Sequence, residues 1–382
     1  MRSINSHHSG AVHMEGSDSQ GKVIGMETSL SREIWIYRLY DCAEEFDLSR
    51  VEETLSRRMP IKRLMLSRIK STSIIMEYPP VSAEMGSFEI KTAQRTLTGS
   101  LLAKFYRLGI VNLIMRLSIP EDFSYEELRA LIAELSTSSL VHDMSLSYFN
   151  GIKKSLEGTF IPSTRLGFTE EYTLFFFRTW PEDWDPVPLL LAEREELSEQ
   201  SREEALKNSF SYGKKDRTII TWDAAIVVDD TGSTDIPDII EFALTQLLLL
   251  RYYDSIVTEE LEKMRSHIGR AATFGFYSRL KRYRQITKKL MQIVLEVTEV
   301  VEKVQNSLKV TEEIFYARLH REAQKIFATD GWQSSIERKL AVIQETYHIL
   351  KSEIETQNSF ILEITIVALI FIEIVLGIFK LM

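Results

Sequence analysis

Cysteine is almost missing from this chain. A single residue, Cys42, in 382 excludes an internal disulfide and fits a reducing compartment. Residues 1–30 lack the apolar core of a secretory signal and are instead rich in Ser, Gly and His. That stretch reads as a disordered tail, which a translation start at Met26 would remove. His7, His8 and His13 belong to the tail and are not read as metal ligands. Arg2 is the only strong base before Glu15, which is too little for a mitochondrial presequence.

Catalytic motifs are missing as well. There is no glycine-rich loop ending in Lys-Ser/Thr, hence no nucleotide triphosphatase signature. There is no nucleophile elbow. His267, His320 and His348 stand apart, without zinc-ligand spacing. No catalytic residue, metal or cofactor is assigned, and no small-molecule substrate is identified. An enzyme with an unrecognised site in the N-terminal half is the minor alternative.

Long apolar runs are missing until the end of the chain, where ILEITIVALIFIEIVLGIFKLM closes the sequence from Ile361. Fifteen of the 19 residues from Ile361 to Phe379 are apolar. At about 1.5 Å per residue, 19 to 20 helical residues span the roughly 30 Å hydrocarbon core of a bilayer. The Leu, Ile, Val and Phe residues contribute roughly −4 to −8 kcal/mol to insertion. Glu363 and Glu373 oppose this by about +2 to +3.5 kcal/mol each if charged and central. Glu363 lies near the start of the run, within reach of headgroups, and Glu373 can be protonated or face a partner helix. With Ile366, Ile370 and Gly377 they form one stripe at 3–4 spacing, the pattern of helix association within a membrane. A single span is therefore expected. Arg338, Lys339 and Lys351 before it, against Lys380 after it, place the body on the cytoplasmic side, or the matrix side in an organelle.

The expected fold class is α+β, with the chain divided as tail 1–30, α+β domain 31–236, helical region 237–358 and anchor 359–382. Alternating apolar positions predict a strand over Glu33–Tyr40 and others near 73–78, 87–93, 96–107 and 109–119. Asp47–Leu55 reads as a short helix. Ser124 and Glu127 form a capping-box signature, with a helix following and a second reaching about Leu156. Tyr172–Trp180 and Arg217–Val228 read as core strands, and the charged stretch 189–207 between them as one surface helix. From Pro237, whose fixed φ suits a helix start, three long helices are expected over 237–272, 276–328 and 335–379, broken near Gly269, Gly275 and Asp330-Gly331. The last carries a near-heptad seam: Leu340, Ile343, Tyr347, Leu350, Ile354, Gln357, Ile361. This predicts a helical hairpin or coiled coil, its partner helix left open between this chain and another subunit.

From Lys263 to Lys289 there is no acidic residue, although the chain as a whole carries −9. Arg279, Lys281, Arg282, Arg284, Lys288 and Lys289 are the centre of this stretch, interleaved with aromatics. RNA, ribosome and anionic lipid are the candidate partners. The plainer reading is pairing with an acidic helix such as Glu193–Glu204. The aspartates 223, 229, 230, 235 and 238 lack calcium-loop spacing. Asp229-Asp230-Thr231-Gly232 reads better as a turn, and Thr234 or Asp235 as a helix cap. Trp222-Asp223 is read as a packing and turn element.

The segment NSFSYGKKDRTIITWDAAIVVDDTGSTDIPDIIEFALTQLLLLRYYD (Asn208–Asp254) resembles the family named for being required for meiotic nuclear division, and Phe360–Lys380 is similar to that family's terminal segment. The resemblance implies an α+β domain, a helical region and one C-terminal membrane helix. It carries over no catalytic residue. Its mitochondrial members imply an oligomeric inner-membrane protein supporting organellar translation; without a presequence, a bacterial inner-membrane protein is the expectation here. The functional expectation is a membrane-anchored scaffold or tether that forms homo-oligomers, with a ribosome- or RNA-associated factor as alternative.

Overall fold

Strand β1 shows why the body has three layers. Ile34, Ile36 and Tyr40 point to one face of the sheet, Trp35, Tyr37 and Leu39 to the other, and all six are buried. Successive side chains of a strand alternate between faces, so a strand apolar on both must be covered on both.

The computed structural model describes residues 32–57, 61–63, 74–76, 79–92, 95–158, 160–162, 168–193, 195–271, 276–306, 308–310 and 314–381. The expected tail and the breakpoint Gly275 lie outside them. In chain order the elements are β1 (Arg32–Asp41), β2 (Ala43–Phe46), α1 (Leu48–Ser56), β3 (Ile61–Arg63), β4 (Ile74–Met76), β5 (Val81–Lys91), β6 (Thr96–Phe105), β7 (Ile110–Ser118), α2 (Tyr125–Thr137), α3 (Leu140–Ser155), β8 (Phe160–Pro162), β9 (Thr169–Phe177), α4 (Pro186–Leu190), α5 (Glu199–Leu206), β10 (Ser209–Phe210), β11 (Arg217–Ile220), β12 (Ala224–Val228), α6 (Asp235–Ala271), α7 (Phe276–Asn306), β13 (Leu308–Val310), α8 (Ile314–Ile326) and α9 (Thr329–Leu381).

Nine strands form one sheet in the order β10-β11-β12-β9-β1-β7-β6-β5-β3. All neighbours are antiparallel except β12 and β9, which run parallel. One face packs on α1 to α4 through Val51, Leu128, Leu131, Val141, Phe149 and Leu189. The other packs on the first half of α6 and on α8 through Ile239, Ile240, Ala243, Leu247, Leu319 and Ala323. Beyond Leu249, α6 runs past the sheet and joins α7 and α9 in a three-helix bundle built on Val257, Met264, Tyr283, Leu290, Val297, Leu340, Ile343 and Leu350. Ser31–Met382 is one compact unit. The α+β class with long helices and one C-terminal apolar helix is thus the observed fold.

Local chemistry explains the element starts. Asp47 caps α1, accepting from the backbone N–H of Ser49 (3.0 Å) and Arg50 (3.3 Å). Ser124 and Glu127 form the complete capping box of α2.

Five expectations need correction. Arg217–Val228 is not one strand but the hairpin β11–β12. The Thr221 hydroxyl donates to the Ala224 carbonyl (2.8 Å) and accepts from the Ala224 N–H (3.2 Å), closing a turn on Trp222-Asp223 inside an apparently continuous apolar run. The stretch 189–207 is not one helix: Leu189 and Leu190 end α4 inside the core, Ala192 takes a left-handed φ of 52°, and Ser198 caps a new helix, α5. The helix expected over 276–328 ends at Asn306, and β13 pairs with β4 before α8 begins. The last break falls at Ala328, φ 50°, and not at Asp330-Gly331, which belongs to α9; Gly269 likewise lies inside α6.

Candidate membrane-contact site

The seam on α9 is buried for half its length and then stops. Leu340, Ile343, Leu350 and Gln357 are buried and Tyr347, Ile354 and Ile361 half-buried, all on one stripe. Its partners are α6 and α7 of the same chain, which answers the question the heptad pattern left open. From Leu362 to Ile374 every residue is exposed. Val367 and Phe371 are each 66% exposed. The helix is long and apolar enough to cross a membrane, and none of its most apolar eighteen-residue window is buried. Burying a Leu, Ile or Phe side chain is worth about 1.5–3 kcal/mol each, so a run of this length standing bare in water is strongly unfavourable. Glu363 and Glu373 sit on this bare segment, also exposed; Gly377 continues the helix beyond them.

Two contacts fix the height of the basic stretch against the apolar run. The Lys339 ammonium on α9 meets Asp254 of α6 at 2.6 Å. At about 1.5 Å per residue on parallel helices, the end of α6 at Ala271 comes level with α9 near residue 356. On α7, which runs back antiparallel, Arg284 donates to the Asn358 side-chain oxygen at 3.0 Å. Arg284 therefore stands about 5 Å before Ile361 along the axis. Lys281, Arg282, Arg284, Lys288 and Lys289 are all exposed, and Arg279 is half-buried. By the same spacing Lys281 to Lys289 stand level with residues 361 to 353 of α9, and Arg279 level with Glu363. Within the bundle, Lys263 pairs with Glu259 (2.5 Å) and Glu260 (2.9 Å), and Lys289 with Glu260 (2.6 Å). The acidic stretch proposed as their partner uses Arg202 to hold Asp185 at 2.8 Å. On α9 the same level carries Glu353 and Glu355, the latter 4.0 Å from Lys351.

A buried polar cluster bolts α6 to the sheet, and sequence reasoning missed it. Lys104 on β6 is 2% exposed and donates to Asp238 (2.8 Å) and Glu241 (2.6 Å) on the first turns of α6. The Tyr106 hydroxyl donates to the other Glu241 oxygen at 2.5 Å. Burial pulls the Lys104 ammonium down, but the two carboxylates outweigh it and hold its pKa above the ordinary lysine value. Burial, then Glu241, pushes the Tyr106 and Tyr37 phenols well up. Asp238 and Glu241, at i and i+3, share a helix face. That spacing was visible, but nothing in a strand pattern announces a buried lysine.

Known proteins add the following. The sequence model of a family described as "Uncharacterized protein MJ0711, N-terminal domain" matches residues 31–234. The chain belongs to this family. A relative from Methanocaldococcus jannaschii, the uncharacterized protein MJ0711, is 27% identical over 229 residues, covering 56% of this chain and 67% of the relative. No solved structure matches. The matched region ends one residue before α6 begins, so it is the sheet with α1 to α5; the bundle and apolar helix lie beyond it.

The aspartates around the end of the family region serve separate tasks. Asp229 accepts from the N–H of Thr231 (2.8 Å) and Gly232 (3.1 Å), closing the expected turn. Thr234 donates to Asp238 at 3.3 Å and its carbonyl accepts from the Asp238 N–H, so it sits as the cap of α6. Asp230 lies 3.9 Å from Lys215, and the Tyr316 hydroxyl reaches Asp235 at 3.5 Å. Trp222 is 46% exposed and packs edge-on against Phe327. It lines, with Asp223, a cleft of about 740 Å³ that also holds Arg38, His142 and Glu171. A small-molecule reading of the body would be placed at this cleft.

Proposed function

We propose that this protein is a membrane-anchored scaffold or tether. One apolar helix holds it in the bilayer, and the sheet body and its bundle stand on the cytoplasmic face. The carrying observation is the bare Leu362–Ile374 segment, a continuous apolar stretch on a molecule whose two sheet faces and bundle interior are closed into cores. The basic residues at the same height support the orientation, since Lys and Arg accumulate on the cytoplasmic flank of a span. Glu363, Glu373 and Gly377 would line contacts between copies in the membrane. The compartment is a bacterial inner membrane, or the matrix side of a mitochondrial one; kinship with the family required for meiotic nuclear division is part of the same proposal. Ribosome or RNA association through the basic residues is the second reading, favoured by their number.

The test is alkaline carbonate extraction of membranes carrying the full chain, beside a version ending at Thr356. Full-length protein in the pellet with the truncation in the supernatant supports the anchor. Release of both removes it.

A further inference from the structure

We propose that the exposed basic face of α7 binds anionic phospholipid headgroups, which seats the bundle on the membrane surface. The proposal rests on the anchor reading and names the partner of the surface beside it. The placement comes from contacts, not from composition. The Lys339–Asp254 pair puts the end of α6 level with α9 near residue 356, and the Arg284–Asn358 hydrogen bond puts residues 281 to 288 of α7 level with residues 361 to 354 of α9. The polar layer outside the hydrocarbon is about 5–8 Å thick on each side. Residues 281 to 288 of α7 cover about 10 Å along the axis, centred close to that layer. Lys281, Arg284 and Lys288 fall on one stripe at 3–4 spacing, with Arg282 beside them, and all are exposed. Four of the bases in the acid-free stretch 263–289, Lys281, Arg282, Arg284 and Lys288, thus stand at this level against Glu353 and Glu355 on α9, in a chain of net charge −9. An RNA ligand would face the same lipid surface at this height, and would be repelled by it if anionic. Headgroup phosphates are already there, at high local concentration.

The experiment uses the full chain in nanodiscs of phosphatidylcholine, alone or with phosphatidylglycerol. Gln285→Cys, in a Cys42→Ser background, carries a fluorophore, and the acceptor is a headgroup dye on either lipid. The expected result is about threefold or greater enrichment of the anionic over the neutral lipid at low salt, lost at high salt. The quadruple variant K281E/R282E/R284E/K288E loses the preference, and K281R/R282K/R284K/K288R keeps it, with equal thermal melts separating surface charge from folding. Equal transfer to both lipids in a carbonate-resistant protein overturns the headgroup proposal and leaves the anchor standing. Release by carbonate overturns the anchor and this proposal with it. Salt-sensitive cosedimentation with ribosomes, lost in the quadruple variant of a protein without lipid preference, assigns the surface to a ribosome and overturns it too.

Discussion

Replacing Lys104 by methionine leaves Asp238 and Glu241 buried together under α6 without a counter-charge. Removing one member of such a cluster costs about 3–5 kcal/mol, whereas replacing the whole cluster by apolar groups of similar size is often neutral. The urea midpoint of detergent-solubilised protein is therefore expected to fall steeply in Lys104→Met. Most of the loss returns in the triple variant with Asp238→Leu and Glu241→Met. A second residue sets a pH limit. His320 is 7% exposed and packs against Phe242; among the described residues its Nε2 has no partner. Burial lowers its pKa to about 4. The unfolded chain, with its histidine near 6.5, binds the proton first. This stability is whole above pH 6.5 and is lost as pH falls towards 4, by about 3 kcal/mol in all. His320→Leu flattens that part of a melting-temperature profile; an unchanged slope would remove the histidine from the explanation.

At the scale of elements, two junctions depend on backbone conformation. Gly109 enters β7 at φ 84°, and a Cβ there would lie 1.8 Å from the Ala43 carbonyl oxygen. Gly109→Ala is expected to cost about 2–3 kcal/mol or more, read as a lowered melting temperature, because the strain adds to a contact with backbone that cannot retreat. Ala328, between α8 and α9, holds φ 50° with a methyl group attached. A non-glycine residue there is strained by about 1–2 kcal/mol, so Ala328→Gly is expected to be neutral or to stabilise by up to about 1 kcal/mol. A clear loss of stability would show that the Ala328 methyl is needed in the packing around Phe327. These junctions also mark where the sequence misleads. The hairpin turn at Thr221-Trp222-Asp223 contains no glycine or proline, and its apolar flanks continue the run. Asp330-Gly331 has the composition of a break yet lies within a helix, because Ala328 supplies the turn two residues earlier.

On the scale of the whole molecule, α6 serves two bodies. Its first half is buried on nearly every face between the sheet and α8, and its second half belongs to the bundle that meets the apolar helix. One continuous helix thus links the bundle to the sheet, where the Lys104 cluster fastens it. If the polar stripe joins copies in the membrane, Glu373→Leu weakens the association by about 1 kcal/mol. Crosslinking of Ile370→Cys protein in native membranes reads this as reduced dimer, and an unchanged yield assigns the stripe to lipid.

Periodicity and composition were sufficient for the elements whose signals are local. The β1 strand, the Ser124–Glu127 capping box, the α9 seam and the apolar run from Ile361 all follow from residue patterns along one helix or strand. The basic residues 279–289 were equally visible, but not their height. That came from the Arg284–Asn358 and Lys339–Asp254 contacts between helices far apart in sequence. Tertiary structure alone also decided that the seam's partners lie in the same chain, and that a strand lysine is buried against two helix carboxylates. Burial and pairing depend on what folds against a residue, and a chain carries no local mark of that.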